Sequence, residues 1–359
     1  MTQIDRPDEV REGEELDEES LEAWLRANVD DFDGPIELQQ FRSGHSNLTY
    51  SVSDGRGTEY VLRRPPIGAH VDSGHDMSRE WRVLTALEGV YDKVPRPIAR
   101  CEDADVVGAP FYLMERVRGV VLRGNDPEVE GLDEPTMEAL SETFVQEFAD
   151  IHAVDWREAG LEDFGRPEGY LERQIEVWIE RYRKSQTDEI EGMETAGEWL
   201  REEMPDDPGR AALIHNDFRY DNFVLDPDDL TSVVAVLDWE MATVGDPLMD
   251  LGTSLAYWFR PGDPDILRAL DLSPTTRPGN FSRRELVDRY EAVTGRDCSN
   301  ILFHYVYGLY KVAVIIQQIY YRWDEGMTDD PRFEMFIHAV RAFADAAETA
   351  IGEESIEPY

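Results

Sequence analysis

Leu213-Ile-His-Asn-Asp-Phe-Arg-Tyr-Asp-Asn-Phe-Val-Leu225 is the stretch on which the reading of this chain turns. An apolar run enters (Ala211 to Ile214), a polar loop follows (His215 to Asn222), and a second apolar run leaves (Phe223 to Leu225). That pattern predicts strand, loop, strand. A third apolar run, Val233 to Leu237, ends on Asp238 in the phrase Asp238-Trp-Glu240. Asp217, Asn222 and Asp238 thus fall at strand ends, where three oxygen-bearing side chains can converge. Taken alone, His215 and Asp217 fit a turn that satisfies its own backbone equally well. Their joint occurrence with Val244-Gly-Asp-Pro-Leu-Met-Asp-Leu251 weighs against that plain reading.

A carboxylate to orient a hydroxyl and take its proton, with hard oxygen ligands for magnesium, is the set that phosphoryl transfer needs. The order H-x-D-x-x-x-x-N, followed by a strand-terminal Asp, resembles a kinase catalytic loop and its metal-binding Asp. The fillers differ from those of protein kinases. Val236-Leu-Asp-Trp-Glu240 and Val244 to Leu251 resemble the aminoglycoside phosphotransferase-like small-molecule kinases. Ser46-Asn-Leu-Thr-Tyr50, Val61-Leu-Arg-Arg-Pro-Pro66, Asn216-Asp-Phe-Arg-Tyr-Asp-Asn222 and Asp238-Trp-Glu240 are most similar to one branch. Its members are kinase-like domains fused to, or encoded beside, acyl-CoA dehydrogenases. Asn216 stands where the family most often has Gly.

The resemblance implies an α+β, bilobal, protein-kinase-like fold. A nucleotide-binding lobe with an antiparallel sheet would cover residues 1–118, after an acidic extension. A mainly helical lobe, 119–359, would carry the catalytic and metal-binding loops. The implied reaction is ATP- and Mg2+-dependent transfer of a γ-phosphoryl group to a small-molecule hydroxyl, with a hydroxyacyl thioester as candidate acceptor. A functional link to an acyl-CoA dehydrogenase is implied as well. Asp217 would be the catalytic carboxylate, and Asn222 and Asp238 the metal ligands. The loop Arg42 to Asn47, with Gly44, Ser46 and Asn47, would cover the phosphates. Arg63 would be the strand cation, with Arg64 as the alternative, and Glu80 its acidic partner. Backbone groups of Glu115 and Val117 would meet the adenine edge. Asp250 and His215 would support the catalytic loop, and the role of Glu240 stays open.

Composition narrows the class. Lys and Arg number 35 against 77 Asp and Glu, a formal net charge of −42. The acid is spread along the chain, which implies a salt-in halophile whose cytosolic ions screen the repulsion. Such charge argues against a nucleic-acid or anionic-membrane partner. Cys101 and Cys298 are far apart and in no zinc spacing, so a reduced cytoplasm is expected. His70 and His75 read as loop residues. The acidic N-terminus predicts no signal peptide. Ile301 to Trp323 is apolar but holds His304, Lys311, Gln317, Gln318 and Arg322, so a buried helix is expected there rather than a membrane span.

Along the chain, 18–29 predicts a helix, and 36–41, 48–52 and 59–63 predict strands with a turn at Asp54-Gly-Arg-Gly57. A helix over 77–87 and strands at 98–102 and 111–117 follow. From Glu134 the apolar period changes from 2 to 3.6. Helices are expected at 134–152, 170–183, 190–204, 247–259, 283–293, 300–323 and 331–351. Residues 260–280, with Pro261, Pro264, Pro274 and Pro278, predict a long loop, a lid or substrate wall. Two rival functions stand beside the kinase. One is a catalytically silent nucleotide-binding module. The other is a metal-dependent hydrolase using His215, Asp217 and Asp238.

Overall fold

The computed structural model describes residues 7–41, 47–66, 77–124, 131–206, 209–270, 272–328 and 330–359. In chain order the elements are α1 (Glu18–Asn28), β1 (Glu37–Phe41), β2 (Leu48–Ser53), β3 (Glu59–Arg64), α2 (Met77–Leu87), β4 (Pro97–Cys101) and β5 (Phe111–Glu115). Then come α3 (Glu134–Ala153), α4 (Tyr170–Ser185), α5 (Glu191–Glu202), β6 (Ala212–Ile214), β7 (Phe223–Leu225), β8 (Val233–Val236) and β9 (Thr243–Gly245). The chain closes with α6 (Pro247–Tyr257), α7 (Asp265–Arg268), α8 (Arg283–Thr294), α9 (Ile301–Asp324) and α10 (Phe336–Gly352). Two compact units emerge. The first holds Met1–Val121, Asn222–Asp229 and Val233–Ala242; the second holds Leu122–Asp221, Leu230–Ser232 and Thr243–Tyr359.

The first unit is built on a five-stranded sheet in the order β1-β2-β3-β5-β4. Its neighbours are all antiparallel. The turn between β2 and β3 closes on Asp54, whose Oδ1 accepts from Arg56 N at 2.9 Å and Thr58 N at 2.8 Å. Alternation along β3 sends Tyr60, Leu62 and Arg64 to one face and Val61 and Arg63 to the other. On the first face Tyr60 and Leu62 join Tyr50, Val52, Phe111, Leu113 and Leu21 and Leu25 of α1 in one core. Asp17 caps α1 through Ser20 N at 3.1 Å. The opposite face is covered by α2, where Trp81 packs on Tyr112 with ring centroids 6.1 Å apart.

The β7–β8 hairpin belongs to this unit. Val120 and Leu225 exchange backbone hydrogen bonds of 2.9 and 2.8 Å. Gly119 allows that approach, since a Cβ there would lie 2.3 Å from Leu225 O. Val236 N donates to Lys93 O at 2.8 Å, and Arg79 of α2 donates to Ala242 O at 3.0 Å.

The second unit is helical. α3 starts on Asp133, whose side chain accepts from Thr136 N, and α8 starts on a reciprocal Ser282–Glu285 capping box and ends on Gly295 in the left-handed conformation. α9 is buried along most of its length and packs on α6, α10 and α4. Its crossing with α6 is close: a Cβ on Gly308 would lie 2.2 Å from Gly252 O. No helix among the described residues is long and apolar enough to cross a membrane. Cys101 and Cys298 are free and buried.

One expectation changes, and one element went unread in the sequence. Residues 260–280 are not one featureless loop. They contain α7 and a turn at Pro274–Thr276, and Asn280 Nδ2 donates to Pro274 O and Arg277 O, both at 2.9 Å. Residues 243–245 form β9, which pairs with β6 ahead of α6. Three residues are too few to show a period, and their partner lies some thirty residues upstream.

Candidate functional site

In the first unit the hairpin positions two of the expected ligands. Phe223 pairs with Val236 in β7–β8, and Leu237 N donates to Asn222 O at 2.8 Å. Asn222 and Asp238 therefore lie at the same end of the hairpin. Asp238 takes a left-handed backbone (φ 66°, ψ 60°), a conformation that Asp and Asn tolerate better than most residues. Trp239 behind it is fully buried, and its Nε1 donates to Val236 O at 2.9 Å.

Arg63 is the hub of this region. Its Nη1 contacts Glu80 Oε1, both nitrogens Nη1 and Nη2 lie 3.2 Å from Asp238 Oδ1, and Nη2 lies 3.2 Å from Glu240 Oε2. Glu80 Oε1 also accepts from Trp239 N at 3.3 Å, so α2 holds both the strand cation and the loop after β8. Burial alone would lower the Arg63 pKa. Glu80 and then Asp238 outweigh it and raise it well above the ordinary value. Burial pushes the Glu80 carboxyl up, with Arg63 opposing. Arg64 points to the other face, where it donates to Pro65 O at 3.1 Å and to Val107 O. Of the two arginines, Arg63 is thus the one that meets Glu80. Glu240 accepts from Asn47 Nδ2 at 2.6 Å. Gly44, Ser46, His70 and His75 lie outside the described residues. β5 ends at Glu115, and the segment through Val117 is fixed by Arg116 and Arg118, which reach Glu59 at 3.1 and 2.7 Å.

In the second unit β6 delivers the catalytic-loop candidate. Asp250, in the first turn of α6, takes His215 N on Oδ2 and Asn216 N on Oδ1, each at 2.7 Å. Asp246 caps that helix through Leu248 N at 2.7 Å. His152 Nε2 lies 3.2 Å from Asp250 Oδ2 and its Nδ1 lies 2.7 Å from Tyr290 OH. The consistent assignment is a neutral imidazole donating at Nε2 and accepting at Nδ1. Burial works against the Asp250 carboxylate, but His152 and the loop amide outweigh it, so its pKa falls below the ordinary value. His215 is fully buried and accepts from Asp217 N at 3.3 Å through Nδ1.

Three residues near Asp217 carry geometry that the sequence reading did not assign. Arg219 Nη2 donates to Asp217 Oδ2 at 3.1 Å and lies 3.3 Å from Asp221 Oδ2, with its guanidinium over the Tyr257 ring at 4.7 Å. Burial pushes the Asp221 carboxyl up, with Arg219 opposing. The spacing of Arg219 between two Asp residues was the available signal. Lys311 Nζ donates to Asn216 O at 3.1 Å, and its signal was a lone cation inside an apolar helix.

Among the described residues no group of three or more His, Cys, Asp or Glu side chains is arranged to hold a metal. A magnesium site built on one amide, one carboxylate and a nucleotide's phosphates needs no such group, because this ion keeps several waters and rarely takes an all-protein cage.

The family model described as "Phosphotransferase enzyme family" matches residues 37–284. Mouse acyl-CoA dehydrogenase family member 10 is 34% identical over 87% of this chain, which spans 29% of that relative. Human acyl-CoA dehydrogenase family member 11 is 32% identical over 94% of this chain, which spans 43% of it. The chain thus covers less than half the length of these curated relatives. A solved structure from Ralstonia eutropha JMP134, assigned by name to the aminoglycoside phosphotransferases, is 32% identical, with a TM-score of 0.79 over 93% of this chain and 97% of that one. With its antiparallel sheet unit, its helical unit and this match, the chain belongs to the phosphotransferase enzyme family, with an α+β, kinase-like fold.

Proposed function

We propose that this chain is an ATP-dependent kinase whose acceptor is a hydroxylated acyl thioester. The observation that carries the kinase reading is Arg63. One guanidinium meets Glu80 of α2 and Asp238 beyond β8, so the expected strand cation, its acid and the expected metal carboxylate share one cluster. Asn222 and Asp238 would hold Mg2+. That ion, when bound, neutralises charge on the phosphate oxygens. Arg63, held by Glu80, would add a fork-shaped cation to the α/β phosphates. Asn47 with Gly44 and Ser46 would cover them, and the backbone of Glu115 and Val117 would meet the adenine.

Asp217 aligns the acceptor hydroxyl. As the acceptor oxygen bonds to the γ-phosphorus and the bond to the β-phosphate oxygen breaks, the hydroxyl proton passes to the Asp217 carboxylate and ADP leaves. Most of the acceleration comes from positioning and charge, so Asp217 need not be a strong base. We place the lobe boundary near Gly119, with residues 1–118 binding nucleotide and 119–359 supplying the catalytic and metal-binding loops and the acceptor site. The narrower acceptor class, and a functional link to an acyl-CoA dehydrogenase, rest on the two curated relatives. We place the enzyme in the cytoplasm of a salt-in halophile, on its net charge of −42.

The test is Mg2+-dependent ADP release with a panel of hydroxyacyl thioesters, sugars and amino alcohols, in molar potassium chloride. Turnover with a thioester supports the reading. Turnover only with a sugar or amino alcohol removes the acceptor class and leaves the kinase. ATP binding without turnover of any acceptor points to the silent module. Full activity in dilute buffer removes the halophile assignment.

A further inference from the structure

Lys311 is a buried cation that the roles above leave unused. It lies on α9 one turn beyond Gly308, where that helix crosses α6 closely, and it is 2% exposed. Its Nζ donates to Asn216 O at 3.1 Å and lies 3.3 Å from Asn216 Oδ1. The Trp178 ring centroid is 5.8 Å away. The charged groups that face it are Asp250 of α6, Asp217 of the loop and Arg181 of α4. Tyr170 of α4, beside Asn216, and Tyr307 of α9 are the nearby titratable phenols.

Asn216 holds a left-handed backbone with φ 67°. Asparagine visits that region readily but is not fixed in it. The surroundings fix it: Asp250 accepts from its N–H at 2.7 Å and Lys311 donates to its carbonyl. That carbonyl belongs to the peptide leading into Asp217. A rotation of this one peptide unit swings the Asp217 side chain.

We propose that Lys311 is a positioning residue for phosphoryl transfer: its ammonium, pinned on both oxygens of Asn216, fixes the left-handed peptide that aims Asp217 at the acceptor hydroxyl. The inference rests on the role given to Asp217 above. A neutral amine can still donate, but it loses the charge-assisted part of the bond. Burial pushes the Lys311 ammonium down to about 8 from an ordinary 10.5, so the charge is lost in mildly alkaline solution. The folded site binds this proton less tightly than the unfolded chain does. Folding stability therefore rises as pH climbs from about 8 toward 10.5, while the charged grip on Asn216 disappears. Activity and stability move in opposite directions there, which a lysine with a purely structural role does not produce.

The experiment compares wild type, Lys311→Met, Asn216→Gly and the double variant by kcat, by KM for ATP and by urea unfolding between about pH 6.5 and 9.5. Lys311→Met is expected to lower kcat about 10–100-fold with KM for ATP within about twofold, because a misaimed carboxylate slows the step without weakening the nucleotide. The alkaline fall in activity and the alkaline rise in stability should both vanish in Lys311→Met. In the Asn216→Gly background, where the backbone takes φ > 0 without a side chain to hold, the same change should cost less than about threefold. A Lys311→Met kcat within about twofold of wild type, or an intact alkaline fall, overturns the proposal. If Lys311→Met does not fold, Asn216→Gly alone decides: loss of the alkaline fall supports the pair and its persistence overturns it. If wild type transfers to no acceptor, the kinase reading fails separately. Hydrogen exchange at the Asp217 amide then decides, with faster exchange in Lys311→Met as support and unchanged exchange as refutation.

Discussion

The two charged hubs of this molecule are built on opposite plans. In the first unit one cation, Arg63, is shared by the carboxylates of Glu80, Asp238 and Glu240. In the second unit one carboxylate, Asp250, collects the amides of His215 and Asn216 and the ring of His152. Asp250 is 0% exposed, whereas the Asp238 side chain keeps 35% exposure. An acid with its oxygens filled by fixed donors is scaffold. An acid that competes with two others for one arginine, and still meets solvent, retains capacity for a cation. The first hub is a place where charge can be exchanged, and the second is one where charge is locked.

Substitutions in and around the two hubs should therefore fail differently. Asp217→Asn, one step from the locked hub, should lower kcat by about 10³-fold or more with ATP affinity within about twofold. Lost ATP affinity with transfer retained would reverse the assignment. Asp250→Ala should cost about 3–5 kcal/mol in urea unfolding, since it removes the shared acceptor of the buried His215 and Asn216 amides and of the His152 ring. A loss below about 1 kcal/mol would mean that the hub is not locked. Arg63→Met should raise KM for ATP and lower kcat/KM about 10–100-fold, and it should also destabilise, since it leaves the buried Glu80 carboxylate without its cation. What separates the hubs is the nucleotide: Asp250→Ala protein that stays folded should keep its KM for ATP within about twofold, and an unchanged KM in Arg63→Met would erase the contrast.

The smallest effect concerns pH. Burial lowers the His152 pKa below its ordinary 6.5, so the unfolded chain takes up this proton first. Stability contributed by the neutral ring is present above pH 6.5 and is lost as pH falls below it, by about 1.4 kcal/mol per unit until the folded site titrates. His152→Gln should flatten that slope in unfolding curves from about pH 7 to 5. An unchanged slope would move the titration elsewhere, with His304, also buried and lowered, the next candidate.

Much of the framework was legible before any coordinate. The helix Met77–Leu87 follows from its apolar spacing, and the strand at Glu59–Arg64 from its β-branched and aromatic content. The loop from His215 to Asn222 was recognisable because its chemistry is compressed into a few residues. What stayed hidden was short or distant. β9 shows no period, and the turns inside 260–280 depend on Asn280 reaching back to Pro274. Arg219 sat in plain view between Asp217 and Asp221, but that spacing alone does not say that its guanidinium reaches both.

Local order along this chain was set by the sequence: most of the elements, and the carboxylates and amide that mark the family's chemistry. Tertiary structure decided which of two adjacent arginines faces Glu80, since strand alternation gives each a face but only packed α1 and α2 say which face is which. It also decided that Glu240 meets Asn47 across 193 residues, and that Lys311 reaches Asn216 across 95. Propensity and period are carried by near neighbours in the chain. The partner of a buried charge is chosen by whatever the packed core brings within about 3 Å, and no spacing rule reaches that far.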